Sequence, residues 1–131
     1  MRFPAGNGAG KLILRLIVGA VVLFHGIAKL FGGVGYIAGL LADAGLPRYF
    51  AYAVYLGEVF GPVLMILGFY ARLGALLVAI NMTVAIALVH RHEIFSLTSQ
   101  GAWAIELQAL LLFGAISSML LGPGRLAFND R

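Results

Sequence analysis

The sequence predicts an all-α membrane fold: one integral domain over residues 1–131, built as an antiparallel bundle of four transmembrane helices with a short interfacial helix between the first and second. Three observations lead there. The chain is 62% hydrophobic and 11% charged, with mean hydropathy +1.01, whereas soluble domains run at about 45–50% apolar and about 25% charged. Four apolar runs reach the roughly 17–25 residues needed to cross a bilayer. Helices satisfy their own backbone groups in lipid, and four spans are too few to close a membrane barrel.

The first run, about residues 12–31, carries Arg15, His25 and Lys29. Arg2 and Lys11 before it give it the look of a secretory signal, but His25 and Lys29 interrupt the apolar stretch and no small-residue cleavage pattern follows. Val34 to Ala44 is apolar yet too short to cross, and Gly45-Leu46-Pro47 stops it; it is expected to lie in the interface or cap the bundle. The second span, about 51–70, carries Glu58, with a kink expected at Pro62. A very short turn at Ala71-Arg72 makes it a tight hairpin with the third span, about 73–89, whose polar members are Asn81 and Thr83. A polar loop, His90 to Gly101, leads to the fourth span, about 102–121, with Glu106, Gln108, Ser117 and Ser118.

The positive-inside rule orients these spans. Arg2, Lys11, Arg72, Arg125 and Arg131 fall on one side, and Lys29, Arg48 and Arg91 on the other. Five against three puts both termini in the cytoplasm. Tyr49, Tyr52, Tyr55 and Trp103 then form an outer aromatic belt, with Phe69 and Tyr70 on the inner side. The nine Lys and Arg are scattered singly, so the net charge of +4 does not describe a nucleic-acid surface. The absence of cysteine excludes a thiol relay, a thiolate nucleophile and a cysteine-held iron–sulfur cluster within the chain.

Glu58 is the most informative residue. A bare charge near the middle of a span costs about 2.5–3.5 kcal/mol on insertion scales, so it needs a partner or a proton. His25 and Lys29, four apart, share a face near the outer end of the first span. Glu58, Glu106 and His90 lie in the outer half of the other three. These five residues are the candidates for a ligand site or proton path. Plainer roles stand beside each of them. Lys29 either snorkels to the headgroups or pairs with Glu58 or Glu106; Glu58 and Glu106 serve equally well as hydrogen-bonding glue between helices; His25 serves as a packing histidine. Arg15, Arg72 and Arg125 form an inner-side polar set, the latter two read as anchors. Gly19, Gly26, Gly57 and Gly61 are the expected close-packing positions. His90-x-His92-Glu93 lacks a third histidine, so no metal is assigned. A haem held by His25 and His90 is disfavoured because His90 sits at the membrane edge.

Arg15-x-x-x-Gly19, Phe24-His25-Gly26-x-x-Lys29-Leu30, Gly57-Glu58-x-x-Gly61, Leu67-Gly68, Arg72, His90 and Gly122-Pro123-Gly124-Arg125 occur in that order. In this the chain resembles the DoxX family of small bacterial and archaeal membrane proteins, with departures at Phe60-Gly61-Pro62 and at Leu126 to Asn129. The resemblance implies four transmembrane helices in a cytoplasmic (inner) membrane. It also implies a link to respiratory or redox-protective complexes, since the family is named for a subunit associated with a quinol oxidase and some members resemble partners of thiosulfate–quinone chemistry.

The expected function is therefore an accessory subunit of a redox complex with a quinone-head or small-ligand pocket in the outer half of the bundle. Nothing in the chain carries electrons, so catalysis would belong to a protein partner. The alternatives are a small proton-coupled transporter gated by Glu58 with Glu106 as its counterpart, and a structural or assembly protein with no chemistry of its own. A homo-oligomer is expected for the carrier, because four helices enclose little space.

Overall fold

A computed structural model describes residues 6–88 and 94–129. Among the described residues there are five α-helices: α1 Gly6–Gly32, α2 Gly35–Asp43, α3 Gly61–Leu67, α4 Ala71–Leu88 and α5 Glu106–Leu121. A 3-10 turn at Arg48–Ala53 and a π-helical stretch at Leu56–Phe60 lead into α3. No strand occurs among the described residues; Leu97 and Trp103 form an isolated antiparallel bridge.

Three helical stretches are long and apolar enough to cross a membrane: Gly8–Gly32, Arg48–Leu67 and Ala71–Leu88. The fourth, α5, has 16 residues, about 24 Å at 1.5 Å per residue. It begins later than the expected residue 102 because the chain ahead of it is otherwise engaged. Thr98 N–H donates to Ala102 O at 2.6 Å, Ala104 N–H donates to Ser96 O at 3.0 Å, and Trp103 Nε1 donates to Ile94 O.

The second span differs most from expectation. It starts near residue 48, ends at Leu67 and is not a uniform α-helix. Pro62 explains the π stretch. A proline has no N–H for the carbonyl four residues back and crowds it sterically, and that carbonyl is Glu58's. The turn widens instead: Gly61 N–H donates to Leu56 O, five residues back. The reversal into α4 lies at Gly68 to Tyr70 rather than at Ala71-Arg72. Gly68 adopts φ +71, and the bonds Phe69 N–H to Leu64 O (3.1 Å) and Gly68 N–H to Leu64 O (2.9 Å) close α3 in a left-handed glycine cap.

Helices α1, α3, α4 and α5 pack in that cyclic order, α5 returning to α1. On α4, Ala71, Gly74, Ala75, Val78, Ala79 and Met82 form one buried face of mostly small side chains, which lets backbones approach. With Val18, Val22, Met65, Leu111 and Ala115 they make the core. The opposite face of α4 is also apolar: Leu73, Leu76, Ile80 and Val84 are exposed. A helix apolar all round with an uncovered side belongs in lipid. Helix α2 packs on the 3-10 turn through a satellite cluster of Val34, Leu41 and Ala51.

Candidate functional site

Glu58 sits on the π stretch with only 4% of its surface exposed. Its Oε1 accepts from Lys29 Nζ at 2.6 Å, and its Oε2 accepts from Asn81 Nδ2 at 3.0 Å. Three segments thus contribute one residue each: α1, the π stretch and α4. Both carboxylate oxygens are satisfied by good donors, which is what a low-dielectric setting demands of a charge. Lys29 lies in the last turn of α1, where helix carbonyls favour a cation. Tyr55 steadies that turn by donating its hydroxyl to Lys29 O at 3.0 Å.

Two glycines make this meeting possible. A Cβ on Gly26 would overlap the Glu58 carbonyl, and one on Gly57 would overlap the Asn81 side chain. The carbonyl that Pro62 leaves without its usual donor is therefore the atom that α1 approaches through Gly26. Gly61 makes a further close contact, its Cβ position lying 2.9 Å from Gly74 O, and Gly19 packs less tightly on Ile66 and the Pro62 carbonyl.

Beside the Lys29–Glu58–Asn81 group is a cavity of about 460 Å³, within the roughly 300–1,000 Å³ typical of small-molecule sites. Its walls are mainly apolar, supplied by α2, the 3-10 turn, α4 and α5; its polar members include His25, Lys29, Glu58, Asn81 and Gln108. His25 lines the cavity and is also exposed, so it stands at the opening. Lys29 spends one N–H on Glu58 and keeps two others.

The remaining candidates are placed differently. Glu106 is exposed in the first turn of α5 and does not line the cavity; the polar residue α5 brings to it is Gln108. His90 lies outside the described residues. Asn81 was visible in its apolar run only as a polar member; its signal was its place on α4 opposite the small residue Gly57.

Arg15 builds a second polar centre at the opposite end of α1. It is fully buried, and its guanidinium donates five hydrogen bonds to main-chain carbonyls. Nε donates to Pro123 O at 2.7 Å, Nη1 to Met65 O at 2.8 Å and Ile66 O at 2.9 Å, and Nη2 to Arg125 O at 2.6 Å and Leu126 O at 2.8 Å. The charge thus neutralises the carboxyl end of α3 and winds the C-terminal tail around itself. The tail is also stitched to the α3–α4 turn: Phe128 N–H donates to Gly68 O at 3.0 Å, and Tyr70 N–H to Asn129 Oδ1 at 3.0 Å. Arg72 is exposed and donates to Met119 O (3.2 Å) and Leu120 O (3.4 Å) at the end of α5. Arg125, also exposed, lies along Gly8. Among the described residues no group of three or more His, Cys, Asp or Glu could hold a metal.

The DoxX family model matches residues 10–91, which takes in most of α1, all of α2 to α4 and all three members of the Glu58 group. The chain is also 32% identical over 120 residues to the Bacillus subtilis (strain 168) protein named "Putative oxidoreductase CatD", covering 92% of this chain and 84% of that one. No solved structure matches significantly. On the extent of the family match and of this likeness, the chain is a membrane protein belonging to the DoxX family.

Proposed function

We propose that the protein is an accessory subunit of a membrane redox complex and that its cavity receives the head of a quinone. The observation that carries this reading is a buried, doubly bonded carboxylate that holds Lys29 at the wall of an apolar cavity while His25 stands at its opening. Quinone carbonyls need hydrogen-bond donors in an otherwise apolar setting, and the free N–H groups of Lys29 and the imidazole of His25 are such donors. A bound quinone would supply the redox chemistry, with electrons from a partner protein. The residues here would bind and orient the head, exclude water and hold a proton near it. The name of the Bacillus subtilis relative agrees with a redox setting.

In this reading all four helices of the ring cross the cytoplasmic membrane of a bacterium or archaeon. Helix α5 completes its crossing with the turns on either side of it, and α2 lies at the outer interface above the cavity. Both termini are cytoplasmic. Because the chain has no native cysteine, single cysteines at Phe95 and Arg125 in intact cells test this directly. Position 95 is expected to react with an impermeant maleimide and position 125 only after permeabilisation; the reverse pattern inverts the topology.

The decisive experiment is binding of a dimethoxy-methyl-benzoquinone head, without a chain, to the protein in lipid nanodiscs. Binding is expected, with a loss of about tenfold or more, 1.4 kcal/mol, in both Lys29→Met and His25→Phe, and no change in Glu106→Gln. His25 is exposed, so its replacement leaves the fold intact. Unchanged affinity in both donor variants, or no binding by the wild type, rejects the quinone site. The same satisfied triad also fits a purely structural role, which predicts that Glu58→Gln lowers stability with no binding to lose.

A further inference from the structure

Three cations from separate parts of the chain meet on one short stretch of the tail. A Cβ on Gly122 would stand 2.7 Å from Arg72 Nη2, and one on Gly124 would stand 2.6 Å from Lys11 Cβ. Two residues of chain span at most about 7 Å, so this stretch gathers Arg72 of α4 and Lys11 of α1 into one small area. The next residue, Arg125, lays its side chain along Gly8, which is three residues before Lys11 on α1 and so on the same face. Arg72 and Arg125 are exposed and Lys11 is half-buried. Beneath them the buried Arg15 donates to Arg125 O at 2.6 Å.

This positive charge meets no carboxylate among the described residues. Their acids are Asp43, Glu58 and Glu106. Asp43 ends α2, Glu58 is held by Lys29, and Glu106 begins α5, whose other end is the one that Arg72 touches. All three belong to the opposite end of the bundle. Asp130 and Arg131, of opposite sign, lie outside the described residues. Arg72 makes its bonds to α5 through Nη1 alone, and Lys11 makes no hydrogen bond or ion pair among the described residues. Helices α1 and α4 both begin at this end with no acidic residue in the first turn, so their dipoles add to the positive potential instead of offsetting it.

We infer that Lys11 and Arg72, with Arg125 beside them, form a binding site for the phosphate of an anionic phospholipid. The guanidinium of Arg72 offers Nη2 and Nε to phosphate oxygens, and Lys11 adds a compact charge on a flexible stem. What adjoins the site selects a headgroup over phosphate from solution. Leu73 follows Arg72 on α4, Leu120 and Leu121 close α5, and all three are exposed, so the lipid-facing apolar surface begins where the cations end. A headgroup phosphate stands at that boundary already. Bound there, it ties α1, α4 and the tail together above Arg15. The site is distinct from the cavity and does not depend on what the cavity holds.

The test is lipid retention by the protein in neutral detergent micelles that contain equal amounts of dioleoyl phosphatidylglycerol and dioleoyl phosphatidylcholine, read by native mass spectrometry at fixed ionic strength. Wild type is expected to retain phosphatidylglycerol in preference. From the usual worth of a Lys or Arg beside an anionic surface, Lys11→Gln and Arg72→Gln are each expected to cut that preference about fivefold, and Lys11→Arg to keep it. Lys11→Gln gives up no bond among the described residues, so it reads the site without disturbing the fold. Arg48→Gln removes an exposed cation at the opposite end and is expected to change nothing. Equal retention of the two lipids by wild type overturns the site, and so does a preference that survives Lys11→Gln and Arg72→Gln together. An equal drop in Arg48→Gln shows attraction by net charge alone and overturns it too. Displacement of the retained phosphatidylglycerol by inorganic phosphate, but not by sodium chloride of the same ionic strength, assigns the site to phosphate from solution and overturns the lipid assignment.

Discussion

Gly26 sets the tolerance of the Glu58 site more strictly than any charged residue does. Its Cβ position is occupied by the backbone carbonyl of Glu58, which has no flexible end to move aside. Gly26→Ala is expected to push α1 from the second span, separate Lys29 from Glu58 and lower stability by about 1–3 kcal/mol. Gly19→Ala meets Ile66 Cγ1 at 3.0 Å and the Pro62 carbonyl at 3.2 Å and should cost much less. Thermal unfolding of the two variants in the same detergent checks the order; equal losses would show that the Gly26 contact is not specific. Lys29→Met leaves the Glu58 carboxylate buried with Asn81 alone and is expected to lose roughly 3–5 kcal/mol. Adding Glu58→Gln to it should recover part of that loss, and a double mutant as unstable as Lys29→Met would contradict the assignment. The Lys29–Glu58 meeting was legible because a charge in lipid needs a counterpart and the sequence offered few. Asn81 was harder to see, because a neutral amide in an apolar run places no comparable demand. The role of Arg15 was not legible at all: its acceptors are backbone carbonyls, and a backbone carbonyl has no signature in a sequence.

The second span shows how one residue rewrites an element. Proline within an apolar run reads most simply as a kink, and the expected break was at Pro62. The structure instead spreads the adjustment over the preceding turn, Leu56–Phe60, as a π stretch. Glu58 stands four residues before Pro62, so the pairing of an acid with a carbonyl that lacks its usual helical donor on the same residue was present in Gly57-Glu58-Val59-Phe60-Gly61-Pro62 once the proline's missing donor was traced back. Pro62→Ala restores that donor. It is expected to favour a regular α-helix, rotate Glu58 by part of a turn and lengthen its contacts with Lys29 and Asn81. The variant should be no less stable by thermal unfolding yet bind the bare quinone head more weakly. Unchanged binding would show that the π turn does not position the carboxylate. The limits of the helices were less legible than their existence. Residues 68–70 looked like the end of a span because Phe69 and Tyr70 are apolar and aromatic, but Gly68 at φ +71 ends α3 before them.

At the scale of the whole molecule, two polar centres hold the helices at opposite ends of α1, and they work differently. At Glu58 the charges cancel side chain to side chain; at Arg15 a single cation collects carbonyls from α3 and from the tail. Removing residues 122–131 deletes three of the five acceptors of Arg15, those at Pro123, Arg125 and Leu126. At about 1–3 kcal/mol for each buried partner lost from a charged group, the shortened chain is expected to be several kcal/mol less stable, and Arg15→Leu in the same background should restore part of it. A truncated chain as stable as the full one, measured by thermal unfolding in detergent, would remove the tail from the account. The dependence also has a direction in time. Arg15 leaves the ribosome long before Pro123, Arg125 and Leu126 do. During synthesis the guanidinium of α1 must remain hydrated or borrow acceptors from lipid headgroups until the segment after α5 has emerged, so α1 reaches the bilayer well before it can settle at its final depth.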